Sequence, residues 1–286
     1  MTTRTVYVDG HFVPEDEAKV SIFDRGFLFA DAVYEVTSVV GGKLIDFAGH
    51  MKRLRRSIGE LEIPYEVDEE KLLEIHRELV RRNDLDEGVI YLQVSRGAAD
   101  RDFAFPERSV SPTVVLFTQK KAIVASQSAE RGLSVVSVPD LRWGRRDIKT
   151  VQLLYPSMAK MEAKARGADD AWLVEEGFVT EGTSNNAYIV TKAGKIVTRD
   201  LSHAILHGIT RKAVLSQATG NGLSIEERPF TLEEAYDAAE AFTTSASGFV
   251  TPVVRIDDRP VGDGKVGPVA RRLREIYIEQ SRATAI

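Results

Sequence analysis

Lys149 is the first position in this chain whose surroundings could make a side chain reactive. It follows the run Arg142-Trp143-Gly144-Arg145-Arg146-Asp147-Ile148 and precedes Val151, Leu153 and Leu154. Nearly all the other lysines stand in polar runs, where a solvated charge is the ordinary role. An amine drawn out of water among apolar residues loses basicity and becomes nucleophilic toward carbonyls. Taken alone, such a lysine is more often a structural salt bridge. Glu181 is the second position, the single carboxylate in Thr180-Glu181-Gly182-Thr183-Ser184-Asn185-Asn186. That run reads as a turn or as a loop aiming a carboxylate at a cationic ring nitrogen. Gly208-Ile209-Thr210-Arg211 and Thr244-Ser245-Ala246-Ser247-Gly248 each offer backbone N–H groups and hydroxyls suited to a phosphate. A threonine at a helix start is usually only a cap.

Other chemistries are poorly represented. No Gly-x-Ser-x-Gly elbow surrounds a serine. The five histidines (11, 50, 76, 203 and 207) show no metal-ligand spacing; His203 and His207 flank a turn, and His76 reads as a surface or boundary residue of a charged helix. Cysteine is absent, which excludes disulfides, thiolate metal sites and a cysteine nucleophile, and fits a reducing compartment. No metal site is expected. The charge of −5 argues against a general nucleic-acid binder. No apolar run reaches membrane-spanning length and no apolar leader opens the chain, so a cytoplasmic location is expected.

The elements that must position these residues come in runs of strands joined by hairpins, with helices between. Strands are expected at 5–8, before Asp9-Gly10, and at 33–40, before Gly41-Gly42. A helix with Met51, Leu54, Ile58 and Leu61 on one face stops at Pro64, and Asp68 caps another that buries Leu72, Ile75 and Leu79. Strands follow at 89–95, 113–118, 133–138, 171–174, 186–191 and 241–244. Helices are expected at 156–166, closed by Gly167, and at 210–218. Thr231-x-x-Glu234 opens a further one as a capping box. The last, 268–280, turns Val269, Leu273 and Ile276 inward. The fold class is therefore α+β in two lobes: 1–120, a linker at 121–131, and a larger lobe at 132–286. With 286 residues and 43% hydrophobic content, each lobe can bury a core. Neither a Gly-x-Gly-x-x-Gly nor a Walker loop is present, so a doubly wound nucleotide fold is not expected.

Taken together, Asp147-Ile148-Lys149, Thr180-Glu181-Gly182-Thr183-Ser184-Asn185, Leu206-His207-Gly208-Ile209-Thr210-Arg211 and Thr244-Ser245 with Val250-Thr251-Pro252 resemble, in order and over essentially the whole chain, the fold-type IV pyridoxal-phosphate enzymes. Asp24-Arg25-Gly26, Asp31-Ala32-Val33-Tyr34-Glu35, His50-Met51-Lys52-Arg53-Leu54 and Tyr91-Leu92-Gln93-Val94-Ser95-Arg96-Gly97 are most similar to the D-amino-acid transaminase branch. Arg101-Asp102-Phe103-Ala104-Phe105-Pro106 resembles the loop carrying that branch's Arg-x-His carboxylate trap, with Phe103 where the histidine would stand. Ala30 and Ala32 also replace glycines often found beside the aspartate.

The resemblance implies a pyridoxal 5'-phosphate cofactor between the lobes, held in the larger lobe by its Schiff-base lysine, Lys149. Lys149 would also move the proton during transamination. Glu181 would pair with the pyridine nitrogen, and Leu206 would pack on the ring. Arg53, Ile209, Thr210, Ala246 and Ser247 would hold the phosphate. Tyr34 and Arg101, with Phe103 beside them, would meet the substrate, Arg101 reaching into the partner's site of a homodimer. The implied activity is ping-pong transfer of an amino group from a D-amino acid such as D-alanine to a 2-oxo acid such as 2-oxoglutarate. On the same fold, a branched-chain L-aminotransferase, an (R)-amine transaminase, an aminodeoxychorismate lyase and an inactive dimeric scaffold are the alternatives.

Overall fold

A computed structural model describes residues 3–286. The chain divides into two compact units. The first holds residues up to Ala122 together with Ile148–Gln152 and Thr284–Ile286; the second holds Ile123–Asp147 and Leu153–Ala283. Lys149 thus packs within the first unit, although chain order puts it among residues of the second. Residues Gln127–Arg131, in the stretch expected as a linker, fold as a short helix of the second unit.

In the first unit β1 (Thr5–Val8), β2 (His11–Pro14), β3 (Ala32–Val40), β4 (Lys43–Leu44), β5 (Glu87–Ser95) and β6 (Val114–Lys120) form one antiparallel sheet in the order β2-β1-β6-β5-β3-β4. Asp9 and Gly10 both take positive φ, 44° and 97°, which a two-residue hairpin with the native strand twist requires. Helix α1 (Arg25–Phe29) precedes β3, and α2 (Phe47–Glu60) and α3 (Glu69–Arg82) pack on the sheet. Asp68 caps α3 by accepting from the Lys71 N–H at 3.0 Å.

His76 of α3 is buried, contrary to the expectation of a surface or boundary residue. It is 0% exposed, its Nδ1 donates to the Leu72 carbonyl at 2.7 Å, and Phe47 meets it edge-on at 5.1 Å. Its Nε2 has no partner among the described residues. Burial, with His50 nearby, outweighs the Leu72 bond and brings its pKa from 6.5 down to about 4. Between these values the unfolded chain binds the proton and the folded one does not. The stability at stake is fully present above pH 6.5 and is lost as pH falls toward 4, by roughly 3 kcal/mol at about 1.4 kcal/mol per unit. His76→Leu should therefore flatten the pH dependence of unfolding free energy across that window, as read by urea titrations at about pH 7 and pH 4.5. Identical slopes in variant and parent would contradict this.

The second unit contains α4 (Gln127–Arg131), β7 (Leu133–Pro139), α5 (Leu154–Ala165), β8 (Asp170–Glu175), β9 (Phe178–Gly182), β10 (Asn186–Val190), β11 (Ile196–Thr198), α6 (Ile209–Gly220), β12 (Ile225–Glu227), α7 (Leu232–Tyr236), β13 (Glu240–Ser245), β14 (Phe249–Ile256), β15 (Arg259–Pro260) and α8 (Pro268–Thr284). Its mixed sheet runs β12-β11-β10-β13-β14-β7-β8-β9, with β15 on β14. One core, including Trp172, Ile189, Val197, Phe230 and Val253, lies on this sheet. A second joins Val136, Val138, Ala171 and Leu173 to Ala159 and Ala163 of α5. On α8, Ala270, Leu273, Arg274, Ile276 and Tyr277 are buried. Val269 is not among them, contrary to expectation; it lies in the first turn, where its N–H is turned to the Glu240 carboxylate. No helix is long and apolar enough to cross a membrane among the described residues.

Candidate active site

In the first unit, the chain around Lys149 is sewn to β3. Thr150 bridges Val33, the Tyr34 N–H donates to the Lys149 carbonyl at 3.0 Å, and the Val151 N–H donates to the Ala32 carbonyl at 3.1 Å. On the other side the Lys149 N–H reaches Ser57 Oγ of α2 at 3.4 Å. The side chain is half-buried, and Nζ lies over the Tyr34 ring, 4.0 Å from its centroid. No carboxylate pairs with it among the described residues, so the ordinary fate of such a lysine, a salt bridge, is not what holds it.

Successive residues of a strand point to opposite faces. Tyr34 meets Lys149 and stacks on Tyr91 at 5.3 Å. Glu35, its neighbour, turns to α2 and is fully buried. Arg53 donates to it twice, Nε at 2.7 Å and Nη2 at 2.6 Å, and His50 Nδ1 lies 2.7 Å away. Burial alone would raise this carboxyl; Arg53 and His50 overcome it and hold Glu35 at about 2. Arg53 is therefore a fixed cation with a fully ionised partner. Glu35 has no signal of its own in the sequence beyond its alternation with Tyr34.

In the second unit Glu181, on β9, is 3% exposed. Arg142 Nη1 donates to it at 2.5 Å, Asn186 Nδ2 at 2.9 Å, and the Leu206 N–H reaches both oxygens at 3.2 and 3.1 Å. Burial pushes the Glu181 carboxyl up, against the pull of Arg142 and the Leu206 N–H. Burial also works against the Arg142 charge, but Coulombic attraction to Glu181 and the bonds to Asp140 hold Arg142 protonated. What suits a protonated ring nitrogen is the negative charge of this carboxylate, held in one orientation by Arg142, Asn186 and the Leu206 N–H against the cost of its burial. The Thr183–Asn185 turn beyond it is tied down by Asp170, which accepts from Thr183 Oγ1 at 2.6 Å and Asn185 Nδ2 at 2.8 Å.

Asn186 also binds the Leu206 carbonyl at 3.0 Å and pairs with Thr244 across the sheet. It thereby ties the Glu181 strand to the segment entering α6 and to the strand entering the 245–249 turn. Helix α6 starts at Gly208, which supplies no capping side chain; a Cβ there would meet Asn186 Oδ1 at 2.1 Å. Thr210 is 3% exposed, and its hydroxyl has no partner among the described residues. No role for Asp140, Arg142 or Asn186 is legible in the sequence, although the Asp-x-Arg spacing at 140–142 makes a local ion pair possible.

Arg101 is exposed, and so is Phe103 at 79%. The Arg101 guanidinium carbon lies 5.4 Å from the Phe29 ring and 5.5 Å from the Phe103 ring, and the two rings meet edge-on at 5.6 Å. No carboxylate neutralises it among the described residues. Buried Arg25 holds this loop from below, donating to the Asp102 carbonyl at 2.7 Å and sharing Asp31 with Arg96.

The donor types present fit pyridoxal phosphate group by group. An amine without a carboxylate partner suits its aldehyde, and a buried carboxylate held in a fixed orientation suits its ring nitrogen. A fixed arginine, a helix start without a side-chain cap and a serine-bearing turn suit its phosphate. No cluster of acidic or histidine side chains that could hold a metal occurs among the described residues.

Comparison with known proteins gives the same reading. The chain is 40% identical over 270 residues to the D-alanine aminotransferase of Staphylococcus aureus (strain MSSA476), covering 94% of this chain and 95% of that protein. It is 38% identical over 272 residues to the D-alanine aminotransferase of Bacillus licheniformis, covering 94% of each. Among solved structures, a branched-chain amino acid aminotransferase from T.th. with pyridoxamine 5'-phosphate superposes with a TM-score of 0.88 at 30% identity, covering 99% of this chain and 95% of that one. Residues 32–256 match the family described as amino-transferase class IV. The chain belongs to that family, and is a transaminase whose cofactor is pyridoxal 5'-phosphate.

Proposed function

We propose that this enzyme moves the amino group of a D-amino acid, D-alanine being the simplest, to a 2-oxo acid such as 2-oxoglutarate, in two half-reactions that share one site. The observation that carries this reading is the likeness to D-alanine aminotransferases over 94% of the chain. When bound, the cofactor supplies an aldehyde for the amino group and a protonated ring that withdraws electrons from the substrate Cα.

The Lys149 amine would hold the cofactor through its aldehyde and, as a free amine, would carry the proton to and from the substrate Cα. Glu181 would keep the ring nitrogen protonated, and Leu206 would pack on the ring. Arg53, the start of α6 at Ile209 and Thr210, and the turn at Ala246 and Ser247 bind the phosphate. The Tyr34 hydroxyl and Arg101 take the substrate carboxylate. Phe103 offers no hydrogen bond there, so Arg101 is the principal cation for that group. We place Arg101 in the site of a second copy: Ile22, Phe23, Phe27, Phe103 and Phe105 are all exposed apolar residues of the same unit, and a homodimer would cover them. We place the enzyme in the cytoplasm, where a cysteine-free chain is at home.

Arg101→Ala should raise KM for D-alanine by about 10-fold or more, since a charge-assisted bond to a carboxylate contributes roughly 1.5–3 kcal/mol, with a smaller change in kcat. An unchanged KM would remove Arg101 from the site. A second reading, transamination of L-branched-chain amino acids, draws on the branched-chain structural neighbour at 30% identity. Half-reaction spectra of the holoenzyme with D-alanine, L-alanine and L-leucine separate the two. Conversion of the cofactor to its amine form by D-alanine alone supports the first reading, and conversion by L-leucine but not D-alanine supports the second.

A further inference from the structure

The turn between β13 and β14 is fixed from outside the sheet by one buried arginine on the last helix. Arg274 is 8% exposed. Its Nη1 donates to the carbonyls of Gly248 at 2.7 Å and Val250 at 2.8 Å; its Nη2 donates to those of Ile123 and Val124, the latter at 3.2 Å. Burying a guanidinium is costly unless its hydrogen bonds are kept, so these four carbonyls closely determine its position.

Two further contacts hold the same turn, and a third ties the helix to the strand that leads into it. Thr251 Oγ1 donates to the Gly248 carbonyl at 3.0 Å. Phe249 is 1% exposed with φ of 57°, a left-handed conformation that a bulky residue adopts only when its surroundings impose it. Its ring meets Tyr277 edge-on at 4.8 Å, and Tyr277 lies three residues beyond Arg274, on the same face of α8. The start of α8 is tied to the strand that leads into the turn: Glu240, the first residue of β13, accepts from the Val269 and Ala270 N–H groups at 3.0 and 2.9 Å. Helix α8 therefore grips β13 at one end and the turn at the other. The Ser247 N–H and hydroxyl, at the tip, have no partner among the described residues.

We propose that Arg274 is a positioning residue for phosphate recognition: by holding the Gly248 and Val250 carbonyls it keeps the N–H and hydroxyl of Ser247 directed at the cofactor's phosphate. This rests on the reading of Ala246 and Ser247 as phosphate-binding. Arg274 does not touch the phosphate itself. Its effect is on the phosphate group alone, and pyridoxal, which lacks that group, is the natural control.

The test uses the full chain, stripped of cofactor and titrated separately with pyridoxal phosphate and pyridoxal, in the parent, Arg274→Lys and Arg274→Gln. Binding is read by absorbance, and thermal stability is recorded for each apoprotein. Arg274→Gln should weaken pyridoxal phosphate at least about tenfold and pyridoxal less than about twofold. Arg274→Lys, which keeps the charge but reaches fewer carbonyls, should recover part of the loss. If Arg274→Gln does not fold, Arg274→Lys must still weaken the phosphorylated ligand selectively. Equal losses for both ligands, or lowered stability with both affinities intact, would make Arg274 a structural residue only and overturn the proposal. A parent protein that binds neither ligand would instead overturn the cofactor assignment beneath it.

Discussion

Lys149→Ala should lower kcat for D-alanine transamination by at least about 10⁴-fold, the upper end of what positioned proton transfer alone supplies (roughly 10²–10⁴-fold). On the proposed reading the substitution removes both the amine that would take the cofactor's aldehyde and the base that would move the proton at Cα. Folding should be little affected, because the ammonium has no ion-pair partner among the described residues and its main chain, which carries the bonds to β3, is unchanged. Lys149→Arg should be as inactive as the alanine variant, since it keeps the charge over Tyr34 but cannot release a proton near neutral pH. Small primary amines added to Lys149→Ala should restore a measurable fraction of turnover. Stopped-flow half-reactions and thermal melts on the three proteins check this. An alanine variant within about tenfold of the parent would show that another group does the work.

Glu181→Gln should lower kcat by about 10²-fold with KM changed far less. A neutral amide cannot hold a ring nitrogen in its charged form, and a charge-assisted bond contributes roughly 1.5–3 kcal/mol, which is about 10–150-fold in rate when all of it acts on the transition state. The variant should remain folded, because Asp140 still pairs with Arg142 at 2.7 Å and Asn186 still binds the Leu206 carbonyl. The same change should shift the absorbance of the bound cofactor, which a purely structural role for Glu181 would leave alone. A kcat within about twofold of the parent would remove Glu181 from the ring nitrogen.

Local signals carry the elements that local chemistry decides. Asp68 and Thr231 cap their helices through the hydrogen bonds their spacing implies, and Asp9-Gly10 turns where its residue types place a hairpin. His76 reads as a surface or boundary residue because its charged neighbours hide its place: it follows Leu72 by four residues and precedes Leu79 by three, within the apolar stripe. Strand β14 escapes the sequence signal because Pro252 interrupts its donor pattern and the register shifts between Val253 and Arg255. The 148–152 segment reads along the chain as the approach to α5, and only its main-chain bonds to Ala32 and Tyr34 assign it to the first unit. The bonds from Glu35 to Arg53, from Arg142 to Glu181 and from Arg274 to Ile123 join residues distant in sequence, so residue type and spacing give little warning of them.

We propose that the amine at position 149 holds the cofactor. This is tested most directly by reducing the holoenzyme with borohydride, digesting it and locating the phosphopyridoxyl group by mass spectrometry. The expected result is a single modified peptide with the label on Lys149, absent from protein first converted with D-alanine. A label on any other lysine, or none in protein that still transaminates, would contradict it.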